Sequence, residues 1–420
     1  MATLTPPGLA DVDLTDLDRW VQGVPHDWFE LLRREAPVFW QEEQDGRGFW
    51  SITRYDDVIA MSKDWETFSS ARGGTSLMDL TPEQVESRMS MLDADPPYHT
   101  RLRSIVNRAF TPRAILAYEG RIRELVREIL ARAFAQGEFD YVADVSMETP
   151  MWVLCELMGT PAADRQTIIE LGDAMLGNTD PDVAGEFVHG QADLSDYAHL
   201  PFSSPAALEM FDYAHALAAD RRRCPQQDIT TRLLEAEVEG DRLTEHEFDL
   251  FFLLLITAGN ETTRHAISHG THALLTNPDQ LRRLVEDPSL VPTAVEEVIR
   301  WATSVLHFRR TATQDVELHG ELIRENDKVV MWFISANRDE RQFPDPTAFD
   351  VGRTPNRHVA FGLGGPHFCL GVHLARLELR ILLEELLRYL PGLELAGPPE
   401  RLRSNFFHGI KRMPVVHERR

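Results

Sequence analysis

The sequence predicts a mainly α-helical protein with smaller β-sheets (α+β), organised as a single domain over residues 1–420. Three observations carry this. Residues 245–276 are proline-free and helical in pattern over about thirty residues, long for a globular helix. Their first half, Phe248 to Ile256, is apolar nearly all round, which places this helix in the middle of the molecule. Near the C-terminus a glycine-rich loop leads into apolar residues recurring at spacings of three and four over 372–390, stopped by Pro391. Short β-prone runs at 38–40, 48–53, 308–312 and 329–332 supply the small sheets. No Ser/Gly-rich linker, repeat or low-complexity tract divides the chain, and residues 1–18 are expected to form a loosely ordered arm.

Composition excludes some functions. Lys plus Arg total 43 against 67 Asp plus Glu, a net charge of −24, which argues against nonspecific binding to nucleic acid or an anionic membrane. The longest apolar run, 250–256, is far short of the roughly 20 residues a membrane span needs. Residues 1–14 show neither the basic nor the apolar region of a secretory signal. Cys155, Cys224 and Cys369 suggest no disulfide framework. A soluble, cytoplasmic protein is expected.

In chain order, 29–36 reads as a short helix with Asp27 as candidate cap, 38–53 as a hairpin, and 55–63 as a helix. Residues 71–83 are irregular, and long loops of this kind are often functional. Asp95-Pro96-Pro97 reads as an acidic cap followed by proline in a first helical turn. His99 and Arg103 then share one face, where two cationic donors one turn apart can clamp a carboxylate; with Arg101 and Arg108 nearby, a solvated basic face is the alternative. Residues 114–136 and 148–158 are further helices. Residues 164–219 are helical but interrupted, and Met175, Leu176, Phe187 and Val188 face either a ligand or the core.

The central helix carries Ala258-Gly259-Asn260-Glu261-Thr262-Thr263. Polar and β-branched residues beside a glycine are costly in a buried helix unless they serve a function. A threonine bonding back to the preceding turn can bend the helix there. The alternative, a helix emerging into solvent, sits poorly with the apolar spacing that resumes at Ala266, Ile267, Ala273 and Leu274. His265 and His269 share a face at a spacing that could bind metal, or are simply satisfied histidines. Glu297 and Arg300 form an i, i+3 pair. Cys369 precedes a helix, where the macrodipole and free N–H groups favour a thiolate. In a glycine-lined apolar loop that thiolate is a nucleophile or a soft metal ligand, and haem iron is one metal held by a single cysteine.

Residues Phe361, Gly364, Cys369 and Gly371 resemble the haem-binding loop of the cytochrome P450 monooxygenases, Phe-x-x-Gly-x-x-x-Cys-x-Gly, with one extra residue between Gly364 and Cys369. Ala258 to Thr262 is similar to that family's Ala/Gly-Gly-x-Asp/Glu-Thr signature, and the His99/Arg103 and Glu297/Arg300 pairs occur in the family's order. The resemblance implies the cytochrome P450 fold, haem b (iron protoporphyrin IX) with Cys369 as axial thiolate, and O2 as co-substrate. It places Ala258, Gly259, Phe361 and Gly364 at the haem. It puts His99, Arg103, Arg310 (five before Asp315, with Arg309 as competitor) and His358 (three before Phe361) on the propionates. Thr262 would bond dioxygen and Glu261 would bring protons, because O–O cleavage needs protons in a site otherwise kept dry. Glu297, Arg300 and Arg353 would form a structural trio.

The activity so implied is insertion of one oxygen atom into an apolar substrate, with electrons from an external ferredoxin and ferredoxin reductase, since the sequence shows no flavin or nicotinamide domain of its own. The extra loop residue, residues 258–264 and residues 403–411 are also similar to actinobacterial members that hydroxylate sterol side chains and methyl-branched lipids. Kinship does not fix substrate, so terpenoid or polyketide-tailoring hydroxylation is the alternative, with departures expected at 71–83 and 180–201. Outside the enzymes stands a haem-containing ligand-binding or sensor protein. A haem-free reading would pair Cys369 with His373 as nucleophile and base.

Overall fold

The computed structural model describes residues 8–44, 46–176, 200–201 and 204–418. The central helix spans Glu245–Thr276, 32 residues, the stretch the patterning predicts. It starts where Thr244 accepts from the Glu247 N–H and Glu247 answers from its side chain, a capping box that satisfies two otherwise free N–H groups. Helices Glu148–Met158, Ala206–Arg223 and Val291–Ala302 pack around it, burying Phe248, Phe252, Ile256, Ile267 and Leu274 in one large apolar core. The Val372–Leu386 helix packs against Glu119–Ala135 and Val291–Ala302 on the other side.

A five-stranded sheet flanks the helices, with strands in the order 38–41, 49–52, 328–332, 307–312 and 68–69. Its 307–312 strand decides a point left open by sequence. Side chains alternate across a strand, so Phe308 and Arg310 face the interior cavity, while Arg309 faces away and donates to the Met78 carbonyl at 2.7 Å.

Several boundaries move for local reasons. The first long helix is His26–Glu35, so Asp27 lies in its first turn and is not the cap. The helix expected from Asp95 begins at Tyr98. The Asp95 carboxylate instead takes the Ser69 hydroxyl and the backbone N–H groups of Ser70 and Ala71, which fastens the 69–71 segment beside that helix. Residues 114–136 divide into Pro112–Leu116 and Glu119–Ala135, and the last helix ends at Leu386, ahead of Pro391. The expected loose arm is packed from residue 8 onward: Leu14 is fully buried, its N–H donates to Gln41 at 2.9 Å, and Trp20 donates to its carbonyl. Residues 1–7 lie outside the described residues. So do most of the 180–201 insert, with Phe187 and Val188, and the side chain of Leu176; Met175 is buried in the core. No helix among the described residues is long and apolar enough to cross a membrane.

Candidate active site

The cysteine loop builds the floor of a buried cavity. The Cys369 N–H donates to the Phe361 carbonyl at 2.9 Å and closes the loop, so the extra residue is absorbed within 361–369. Gly365 makes this possible: a Cβ there would lie 1.7 Å from the Ser62 carbonyl oxygen. Cys369, Phe361, Gly362, Gly365 and Gly371 line the cavity. Gly364 does not; its φ of +84° sets the turn, with Lys63 packed beside it. The expectation of a thiolate from the helix terminus alone is corrected. Burial pushes the Cys369 thiol up, and the Gly371 N–H, Arg103 and Arg376 offset this only in part. A bound metal cation would deprotonate it outright. His373 is exposed and absent from the cavity wall, which removes the nucleophile–base pairing.

Cationic and imidazole donors gather at one edge. His99, Arg103, Arg310 and His367 all line the cavity. The His99 and His367 rings lie 4.4 Å apart. Both ring nitrogens of His99 are buried without a partner among the described residues. Arg103 donates from Nε only to Asn107 and Arg310 from Nη1 only to the Arg309 carbonyl, with no ion-pair partner for either among the described residues. Burial, then Arg103, depresses His99 to about 4, and burial depresses Arg310 to about 10. Arg103 is half-buried, and Arg310 is buried with Asp95 and Asp93 acting on it only from beyond ion-pair distance; a buried guanidinium without a directly paired carboxylate is costly. His367 already meets the Ser70 hydroxyl at 3.1 Å; a group bringing carboxylates to this edge would relieve His99, Arg103 and Arg310, which fits haem with its two carboxylates and with Cys369 to hold its iron.

His358 does not join them. Its Nε2 lies 3.1 Å from the Glu296 carboxylate, which Arg376 also grips at 2.7 and 2.8 Å. Burial would raise Glu296, but His358 and Arg376 outweigh it and hold the carboxyl at about 2. The histidine at this edge is His367, two residues before the cysteine; its place inside the loop was the available signal.

Across the cavity the central helix presents Ala258, Gly259, Thr262 and Thr263. Gly259 lets Leu154 close in, for a Cβ would meet its δ-methyl at 3.0 Å. The Thr262 hydroxyl donates back to the Ala258 carbonyl at 2.7 Å, the bond expected to bend this helix. Glu261 is buried on the face turned from the cavity, paired with Arg264 at 2.9 Å and His265 at 3.0 Å. Burial alone would raise its carboxyl; these partners together hold it below its usual range. Sequence reading missed Glu378. This second buried carboxyl, from the cysteine helix, reaches the cavity with one oxygen unpartnered among the described residues, and burial raises it well above the carboxylate range. Outside the cavity, Glu297, Arg300 and Arg353 form the expected trio.

The family described as Cytochrome P450 matches residues 13–395. The chain is 43% identical over 430 residues to the methyl-branched lipid omega-hydroxylase of Mycobacterium tuberculosis, covering 98% of this chain and 96% of that protein. It is 37% identical over 433 residues to the steroid C26-monooxygenase of the same organism, covering 98% and 95%. Among solved structures, a cytochrome P450 of Mycobacterium marinum in complex with pseudoionone superposes with a TM-score of 0.87 at 38% identity, covering 99% of this chain and 100% of that one. The chain belongs to the cytochrome P450 family, and it is a monooxygenase of that family.

Proposed function

We propose that this monooxygenase hydroxylates a methyl-branched or steroid-like lipid, using electrons delivered singly by an external ferredoxin and its reductase. The observation that carries the substrate class is the wall facing Cys369. Met91, Leu92, Phe110, Leu154, Phe251, Leu254, Leu255, Phe308 and Phe333 make it apolar, so a ligand there gains from burying hydrocarbon and finds few polar partners. The relatives named for methyl-branched lipid and steroid oxidation support the same class. The related structure holding pseudoionone favours a second, smaller class of ligand, of terpenoid type.

The bound group is proposed to be haem b, held by Cys369 at its iron and by His99, Arg103, Arg310 and His367 at its carboxylates. It would supply the reductive activation of dioxygen at a thiolate-ligated iron. The chain's own residues do the rest. Thr262 holds a hydroxyl proton at the cavity face. Glu261, the next residue in the chain, is the acid behind it. The apolar wall excludes water, so protons enter only where side chains carry them. A cytoplasmic place is proposed with this function.

The test is an absorption titration of the haem-loaded protein with a sterol-type lipid, a methyl-branched fatty acid, a monoterpene and a macrolide. A saturable shift of the haem band with the sterol or the branched acid supports the proposal. Saturation by the monoterpene alone moves the substrate to the smaller class. A band that no member moves removes the lipid assignment.

A further inference from the structure

One turn behind Thr262, the central helix holds a buried arrangement that ion pairing alone does not require. Arg264 Nη2 and His265 Nε2 approach the same oxygen of Glu261, Oε2, at 2.9 and 3.0 Å. One guanidinium already balances one carboxylate. The second partner is nevertheless an imidazole with no exposed surface, and desolvating a polar ring is costly. Neither ring nitrogen makes an aligned hydrogen bond among the described residues: Nε2 is close to Oε2 without pointing at it, and Nδ1 has no partner. The C-terminal segment makes room for the ring: a Cβ at Gly409 would come 2.9 Å from His265 Cε1. The groups acting on it are Glu261 and Arg264, His269 one turn further along, and His408 from the C-terminal segment, with Arg401 and Arg338 beyond His408. An imidazole can take a proton at one nitrogen and release another from the second, which Arg264 does not do near neutral pH.

We propose that His265 reloads Glu261 with its proton. The neutral ring, protonated at Nε2, takes a proton at Nδ1 from a hydronium ion, which leaves as water; the imidazolium passes its Nε2–H to Oε2 of the carboxylate, leaving a ring neutral with its proton at Nδ1 and a carboxylic acid, and a turn of the ring restores the first tautomer. Charge and atoms balance, and no oxidant or reductant is involved. The carboxylic acid no longer carries the charge that binds Arg264, so it is free to turn toward the neighbouring Thr262. Burial pulls the imidazolium below its ordinary range and so favours release, while Glu261 partly restores it. His265 is thus a positioning residue that acts through Glu261. The inference rests on the reading of Glu261 and Thr262 as the proton path of the monooxygenase.

His265→Gln tests it, because an amide N–H can still face Glu261 but cannot relay a proton. Product formed with reductant and ferredoxin is divided by product formed with hydrogen peroxide, an oxidant that brings its protons with it, between about pH 5.5 and 8.5. The expected result is a fall of about tenfold in this ratio, with loss of its pH dependence, for His265→Gln. An unchanged ratio and profile overturn the proposal. The second readout needs neither haem nor turnover. Nitrogen-15 signals of the His265 ring are titrated in the haem-free protein and in Glu261→Gln. The proposal expects the ring to titrate below its ordinary range and to drop further without the carboxylate; ring signals indifferent to Glu261→Gln overturn it even if His265→Gln does not fold. Wild-type protein that makes product with neither oxidant sinks the monooxygenase proton path itself, a failure distinct from an unchanged ratio.

Discussion

Two buried arginine clusters differ in one respect. Around Glu297 the two guanidinium groups that touch it, Arg300 and Arg353, are matched. Arg300 grips the carboxylate at 2.8 and 2.7 Å and spends its remaining N–H groups on the carbonyls of Asn337, Pro346 and Ala348. Arg353, Asn356 and the Asp350 N–H complete the shell. At the cavity edge, Arg103, Arg310, His99 and His367 converge with no carboxylate paired to them among the described residues. The first cluster is closed and structural; the second is complementary to something the chain does not itself provide. The sign of the local charge is the same in both. The difference lies in satisfaction, and it separates scaffold from binding site.

The comparison breaks first at Glu297. Glu297→Gln leaves two buried guanidinium groups without their counter-charge and is expected to cost about 3–5 kcal/mol in denaturant unfolding. A loss below about 1 kcal/mol would mean that the trio is not the closed unit described.

The open cluster carries the pH dependence. His99 sits at about 4 in the folded protein, below the roughly 6.5 of an unfolded histidine. Above 6.5 the group contributes nothing. As pH falls from 6.5 toward 4, the unfolded chain binds the proton first, so folding loses stability by up to about 1.4 kcal/mol per pH unit. Unfolding of haem-free protein is expected to show this loss relative to His99→Phe, and bound haem carboxylates are expected to shrink it. Equal slopes for wild type and variant would remove His99 from the cluster.

Arg310→Met sharpens the contrast with the smallest effect on stability. Removing a buried cation that no carboxylate pairs directly is expected to leave the haem-free protein equal or more stable, by up to about 1 kcal/mol. Haem transfer to an acceptor apoprotein is expected to speed up at least about tenfold, which is about 1.4 kcal/mol of lost hold. A variant that loses stability without haem, and keeps haem as tightly as wild type, would place Arg310 in the scaffold.

Much of this is legible in the sequence. The central helix covers the 245–276 stretch that its proline-free, apolar pattern predicts, because that signal is local. Glu297 and Arg300 are three residues apart on one helix, so their contact follows from helical geometry. His358 is the instructive miss. Its offset from Phe361 suits a propionate contact, but Glu296, 62 residues away in sequence, reaches it first. Asp95 has the residue type and position of a helix cap, yet Ser69, Ser70 and Ala71 claim its carboxylate. Glu378 reads as one more acid on an amphipathic helix until the cavity is seen beside it.

The sequence by itself determined the helices, the β-prone run that carries Arg309 and Arg310, and the inventory of thiol, threonine, carboxyl and cationic groups; which of the two arginines turns inward came from the fold. Tertiary structure alone decided which charges are answered and which remain open. Secondary structure arises from neighbours within a turn or two. Ion pairing between elements depends on distances of a few ångströms between residues tens to hundreds apart in the chain, as for His358 and Glu296, and only packing sets those.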